Sequence, residues 1–210
     1  MLQPKHLYLI HGRYMSPEFE SDAESLVPSG PNAKMQVVRV VRTYLSLPSF
    51  GHLRRERAPK ALVRLVRLAP HATDEWRRLY RDIGGPYHWH DRDTWSDTAL
   101  AQHLASESVR AFRVQVLLPD AAVHSAGFLE LELANDGSAE IAYLGLHQRV
   151  HGLGLGKWLV TEAVDEVRRM GATSVWLHTC TLDGPAALPN YLARGFTATR
   201  SEEYDARVPT

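Results

Sequence analysis

Gln148-Arg149-Val150-His151-Gly152-Leu153-Gly154-Leu155-Gly156-Lys157-Trp158 places glycines at every second position between a strand-like run and an amphipathic one. Glycines at that spacing let the backbone turn tightly and approach a ligand with no Cβ in the way. The first N–H groups of the helix that follows have no partner inside it, and the helix dipole favours an anion there. The local physics is that of a phosphate or pyrophosphate cradle. Two other phosphate motifs fail on spacing. A P-loop needs Gly-x-x-x-x-Gly-Lys followed by Ser or Thr, but His151 stands five before Gly156 and Trp158 follows Lys157. A dinucleotide fingerprint Gly-x-Gly-x-x-Gly starting at Gly152 needs a glycine where Lys157 stands.

The flanks agree with a strand before the turn and a helix after it. Residues 126–133 and 139–146 alternate apolar and polar side chains around Asn135-Asp136-Gly137-Ser138, a hairpin signal. Beyond the glycines, Val160, Ala163, Val164, Val167 and Met170 recur at helical spacing. Glu162, Asp165 and Glu166 precede Arg168 and Arg169, the order the dipole favours, and Gly171 suits the position past the helix end.

Upstream, residues 36–47 and 61–68 are rich in β-branched and apolar side chains and predict strands, with a basic connection at 48–60. Trp76, Leu79, Tyr80 and Ile83 predict a helix capped by Thr73 or Asp74 and ended by Gly84-Gly85-Pro86. A second helix is predicted from about Ser96 through Leu100 and Leu104. A half-buried strand at 111–118 and a turn at 119–124 follow. Residues 173–180 predict a strand, residues 186–194 a short helix ended by Gly195, and Phe196 opens a last strand. Residues 1–34 are polar, turn-rich and aperiodic, and are expected to form an irregular, dispensable extension to a single domain at 35–210.

Composition narrows the function. With 24 Lys+Arg against 24 Asp+Glu the chain has no net charge, which argues against nucleic acid and a membrane surface as partners. A single cysteine, Cys180, excludes an intrachain disulfide and a multi-cysteine zinc site. The short apolar run Leu7-Tyr8-Leu9-Ile10 is too brief for a signal-peptide core, and a cytoplasmic location is expected.

A second motif lies in Trp176-Leu177-His178-Thr179-Cys180-Thr181-Leu182-Asp183-Gly184-Pro185-Ala186-Ala187-Leu188-Pro189-Asn190-Tyr191-Leu192-Ala193-Arg194-Gly195-Phe196. It resembles the last conserved block of the GNAT superfamily of N-acetyltransferases: a strand, a short alanine-containing helix, then Tyr-x-x-x-Gly-Phe, matched by Ala187, Tyr191, Gly195 and Phe196. The glycine turn resembles the acetyl-CoA loop of the same superfamily, usually Arg/Gln-x-x-Gly-x-Gly/Ala, through His151, Gly154 and Gly156. His151 departs from the usual Arg or Gln. The resemblance covers roughly residues 35–205, and the blocks at 84–92 and 140–146 look like a bacterial branch of the family.

The resemblance implies an α/β fold: a central mixed, splayed β-sheet flanked by helices, in the order ββααβββαβαβ. It implies acetyl-CoA as co-substrate, no metal, and a gap between the strand at 128–133 and the next. Backbone groups near Leu144 and Leu146 would hold the pantetheine. His151, Gly152, Leu153, Gly154, Leu155, Gly156 and Lys157 would hold the pyrophosphate. Acetyl transfer to an amine needs a neutral nucleophile, a polarised carbonyl and a proton for the departing thiolate. Tyr191 is the family's general acid, or else an aromatic that closes the helix on the sheet.

Glu130 and Glu132 share a strand face with Phe128. They are a solvent-facing polar side or a source of the general base, with Glu130 the better placed. Cys180 reads as a core residue rather than a nucleophile. His88, His90 and Asp91 lack a further metal ligand at recognisable spacing. Trp89, Arg92, Tyr143 and Glu132 are candidates for the acceptor pocket, or packing and ion-pair residues. The expected acceptor is a small-molecule or peptide amine, and a homodimer is compatible with the sequence. A catalytically silent acyl-CoA-binding sensor is the alternative. A toxin acetylating aminoacyl-tRNA is disfavoured by the zero net charge.

Overall fold

The structure, a computed structural model, describes residues 34–57, 59, 62–117 and 123–209. Almost all of the expected extension at 1–34 and most of the turn at 119–124 lie outside the described residues. The strands are β1 (Met35–Leu47), β2 (Leu62–Arg67), β3 (Val109–Leu117), β4 (Val123–Leu133), β5 (Ser138–Leu146), β6 (Ser174–Cys180) and β7 (Thr197–Pro209). The helices are α1 (Thr73–Gly84), α2 (Asp97–Ala105), α3 (Leu155–Arg169) and α4 (Ala187–Ala193). Their order is the one the sequence predicts.

Local chemistry accounts for the boundaries. Ser96 caps α2 by accepting the Ala99 N–H at 3.1 Å. Helix α3 ends in a Schellman motif, with Gly171 N–H donating to Arg168 O, Ala172 N–H to Val167 O, and Gly171 in the left-handed region. The β4–β5 hairpin closes on Asn135-Asp136-Gly137. Gly137 has φ +83°, and Ala134 N–H donates to Ser138 O at 2.8 Å.

The strands form one sheet in the order β2-β3-β4-β5-β6-β1-β7. The β5–β6 pair is parallel, as the α3 crossover requires, and the other pairs are antiparallel. β1 fills the place between β6 and β7 and is laddered to both. One core lies on the α3 side of the sheet, with Leu129, Leu131, Ile141, Leu159, Val164 and Leu177 among its buried members. A second lies under α1 and α2, built on Trp76, Tyr80, Ile83, Leu100, Leu104 and Phe128.

The gap in the sheet corrects the sequence-based expectation. β4 and β5 are laddered from Gly127↔Leu146 to Leu133↔Ala139, so no opening lies between them. β5 and β6 pair only at Ser138↔Ser174, Ala139↔Val175 and Glu140↔Trp176, then part. The tight hairpin zips β4 to β5, whereas the crossover joins β5 to β6 only at one end. A β-bulge reinforces the opening. Leu131 pairs with Ile141 and Glu130 with Tyr143, which leaves Ala142 without an opposite number. The extra residue sends Ile141 into the α3-side core and Tyr143 into the α1-side core, although they stand two apart.

Candidate active site

A cleft of about 1000 Å³ runs from the glycine turn into the fork between β5 and β6. Leu144, Leu146, His151, Gly152, Gly154, Leu155, Gly156 and Lys157 line it, as do Tyr191, Trp89 and Tyr143. Leu153, expected in the cradle, is 46% exposed and is not among the lining residues. Gly152 and Gly154 have φ of +78° and +77°, which side-chain-bearing residues rarely adopt, and a Cβ on either would meet nothing within 4 Å. The turn therefore presents open space to bare backbone at the start of α3, and these residues fit a diphosphate. Asn190 ties α4 to this end by donating to Gly156 O at 3.1 Å.

His151 is turned differently from a phosphate-facing residue. It lines the cleft, but its Nε2 lies 3.0 Å from Leu146 O, so the imidazole straps the cradle to the end of β5.

Tyr191 on α4 is 7% exposed and packs edge-on against Phe196. Burial first, then the nearby Asp183 charge, push its phenol above the usual tyrosine range, so it stays protonated at neutral pH. Asp183 is held by Thr179 Oγ1 at 2.6 Å and Cys180 N–H at 2.8 Å. Cys180, expected in the core, instead lines the cleft partly buried, and burial raises its thiol, which favours the unreactive form.

The acids of β4 do not line the cleft. The face that holds Glu130 and Glu132 is not solvent-facing, because α1 and α2 cover it. Glu130 is 0% exposed. Its carboxylate accepts from Trp76 Nε1, stands 3.1 Å from His103 Nε2 and lies 3.3 Å from Arg92 Nη1. Arg92 also binds Glu132 and stacks over Trp95 at 4.4 Å. Arg92, expected at the acceptor, is thus the cation at the centre of a largely buried network. His103, Glu130 and Glu132 bring ligand atoms within 4.8 Å of one another, a metal-like spacing, but the Arg92 guanidinium already binds all three.

Trp89 combines packing with a place at the edge of the cleft. It borders the cleft, and its ring covers Gly84 and Gly145, where a Cβ would overlap or crowd it. Tyr143 also faces the cleft, donating its hydroxyl to Asp91 Oδ2 at 2.9 Å.

Two residues that the sequence did not single out stand at the fork. Glu140 is the last β5 residue paired to β6, directly opposite Glu132 on β4. Burial, then the Glu132 charge, push its carboxyl up to about 7, against the pull of Arg92 and Arg42. His178 on β6 lines the cleft, with Nε2 at 3.7 Å from Glu140 Oε1. A lone acid in the apolar run of β5 was a signal for Glu140. His178 gained its meaning only from the fork.

Residues 73–196 match the model of the Acetyltransferase (GNAT) family. No curated protein matches the chain. A GCN5-related N-acetyltransferase from Sphaerobacter thermophilus has a similar structure, with TM-score 0.56 and 14% identity over 84% of this chain and 54% of its own. One from Kribbella flavida gives 0.52 and 18% over 84% and 60%. An aminoglycoside acetyltransferase from an uncultured soil metagenomic sample gives 0.50 and 19% over 63% and 86%. The chain therefore spans little more than half the length of the first two. At these identities the likeness is one of fold. The family match takes in more than half of the chain, from α1 through the cradle to Phe196, and on that ground the protein belongs to the GNAT acetyltransferase family.

Proposed function

We propose that the protein moves an acetyl group from acetyl-CoA to a primary amine of a small molecule, amino acid or peptide. The observation that carries this reading is the continuity of one cleft from the glycine cradle, through the fork, to Tyr191. Acetyl-CoA supplies the activated acyl group. The N–H groups from Leu153 to Lys157 receive its pyrophosphate, and the edge of β5 at Leu144 and Leu146, freed where the strands part, receives the pantetheine.

Tyr191, kept protonated by burial, donates to the departing thiolate. Glu130, the base expected on β4, we assign instead to holding Arg92 beneath α1 and α2. Base chemistry then belongs at the fork, where the Glu140 carboxyl at about 7 is poised to exchange a proton near neutral pH. Since an aminoglycoside acetyltransferase shares the fold, amino sugars join amino acids, peptides and polyamines as acceptors to test.

Tyr191 in the cleft, with Glu140 at the last β5–β6 pair behind it, favours an enzyme over a silent acyl-CoA-binding module. The deciding measurement pairs acetyl-CoA affinity with thiol release in the presence of each amine. Transfer to at least one amine supports the proposal. Tight binding without transfer to any of them favours the silent module.

A further inference from the structure

Beyond Glu140 and Trp176 the two parallel strands part, and the next side chain on that face of β6 is His178. It lines the cleft, whereas Glu140 lies behind it and does not. An acceptor entering the fork therefore meets the imidazole before the carboxylate. The surroundings of His178 come from several elements. Tyr44 on β1 is its direct ladder partner and meets the imidazole edge-on at 5.8 Å, and Arg42 lies further along the same strand. Asp183 after β6, Asp91 after α1, Glu202 on β7 and Glu140 on β5 are the acids that face it. Burial, with Arg42, outweighs those acids and holds the imidazole below its usual range. It is neutral at pH 7, with a lone pair free to take a proton.

We propose that His178 removes the proton from the acceptor's ammonium and passes it by way of Glu140 to solvent. The inference rests on the acetyl-transfer reading above. One N–H bond of the ammonium breaks and its proton goes to the imidazole. The freed lone pair attacks the thioester carbonyl carbon, so the C–N bond forms and the C–S bond breaks. The sulfur leaves with the bonding pair and takes the Tyr191 phenolic proton. The second proton lost by the nitrogen restores that phenol. One proton per turnover leaves through His178 and Glu140, and the products are the amide and the free thiol.

The test uses the full chain and the best acceptor from the amine panel, with thiol release followed from mildly acidic to mildly basic pH. The parent should show an acidic limb in kcat/KM with its midpoint below the ordinary histidine value of about 6.5. His178→Gln and His178→Ala should bind acetyl-CoA and melt as the parent does, while kcat/KM falls by roughly 10²–10⁴-fold. Added imidazole should restore part of the loss in His178→Ala, which a packing role would not allow. In His178→Gln the acidic limb should vanish. Near-full turnover in either variant, an unchanged limb, or failure of imidazole to rescue a folded His178→Ala overturns this inference and leaves acetyl transfer standing. A parent that binds acetyl-CoA but acetylates no amine overturns both.

Discussion

Burial affects Tyr191 and Glu140 through the same physics and in the same direction. Removing water disfavours the charged form of each, so the phenol keeps the proton it is to donate, while the carboxylate becomes costly to ionise. Tyr191→Phe keeps the ring and its packing on Phe196 but removes the hydroxyl. Its kcat should fall roughly 10²–10⁴-fold with acetyl-CoA affinity little changed, and near-full turnover would make Tyr191 a packing residue. For Glu140 the sign follows from linkage. The carboxyl is raised from 4.5 to about 7 in the folded chain. Below 4.5 both folded and unfolded forms hold the proton. Between the two values the unfolded chain ionises first, so stability falls as pH rises and the loss is complete above about 7. Glu140→Gln removes this term. The variant should match the parent in melting temperature at acidic pH and exceed it above neutrality. A parent whose margin over the variant grows with pH would show that Arg92 and Arg42 stabilise the ionised form.

At the scale of elements, periodicity and the Ser96 cap were legible, but distances between strands were not, and the expected Thr73 or Asp74 cap of α1 is not made: Ala72 holds that place with no side-chain bond. The α1 face of Trp76, Leu79, Tyr80 and Ile83 is buried as its spacing required. The turn at Gly137 and the end of α3 at Gly171 follow local backbone chemistry that one sequence displays. The position of the gap depended on how many residues β5 shares with β6, and on the bulge at Ala142, neither of which leaves a local mark. Alternation along β4 correctly put Glu130, Glu132 and Phe128 on one face, but it could not say that α1 and α2 cover that face. The covering has an energetic consequence. Arg92→Met would leave Glu130 buried without its cation, and should cost about 3–5 kcal/mol in denaturant unfolding. Adding Glu130→Gln should recover part of that loss, and no recovery would show that the charge pairing is not what holds the layer. The cradle is testable in the same way. Gly154→Val puts a branched side chain at φ +77° and into space that the protein leaves open. Acetyl-CoA affinity should drop at least tenfold, about 1.4 kcal/mol or more, in a chain that still folds. Unchanged affinity would remove the turn from the site.

Across the whole molecule, the first strand is laddered between two strands from the C-terminal third of the chain. β1 pairs with β6 from Arg42↔Cys180 to Leu47↔Val175 and with β7 from Met35↔Pro209 to Ser46↔Thr197. Its buried Val40, Leu45 and Leu47 are the part of the sheet that distant ends of the chain build together. The same pairing brings Arg42 and Tyr44 beside His178, so the sheet and the fork depend on one contact of long sequence separation. Two truncations separate the contributions. A chain beginning at Met35 retains β1 to β7 as described and should keep its melting temperature and acetyl-CoA affinity. A loss of several degrees there would show that the preceding residues pack on the domain. A chain beginning at Pro48 lacks β1, which exposes ladder edges on both β6 and β7 and opens the α3-side core at Leu45 and Leu47. It should fail to unfold cooperatively and should lose acetyl-CoA binding, even though every residue that matches the family model is still present. Cooperative melting of that shorter chain would mean that β6 and β7 close on each other without β1, and that the first strand is an addition to the fold rather than part of its core.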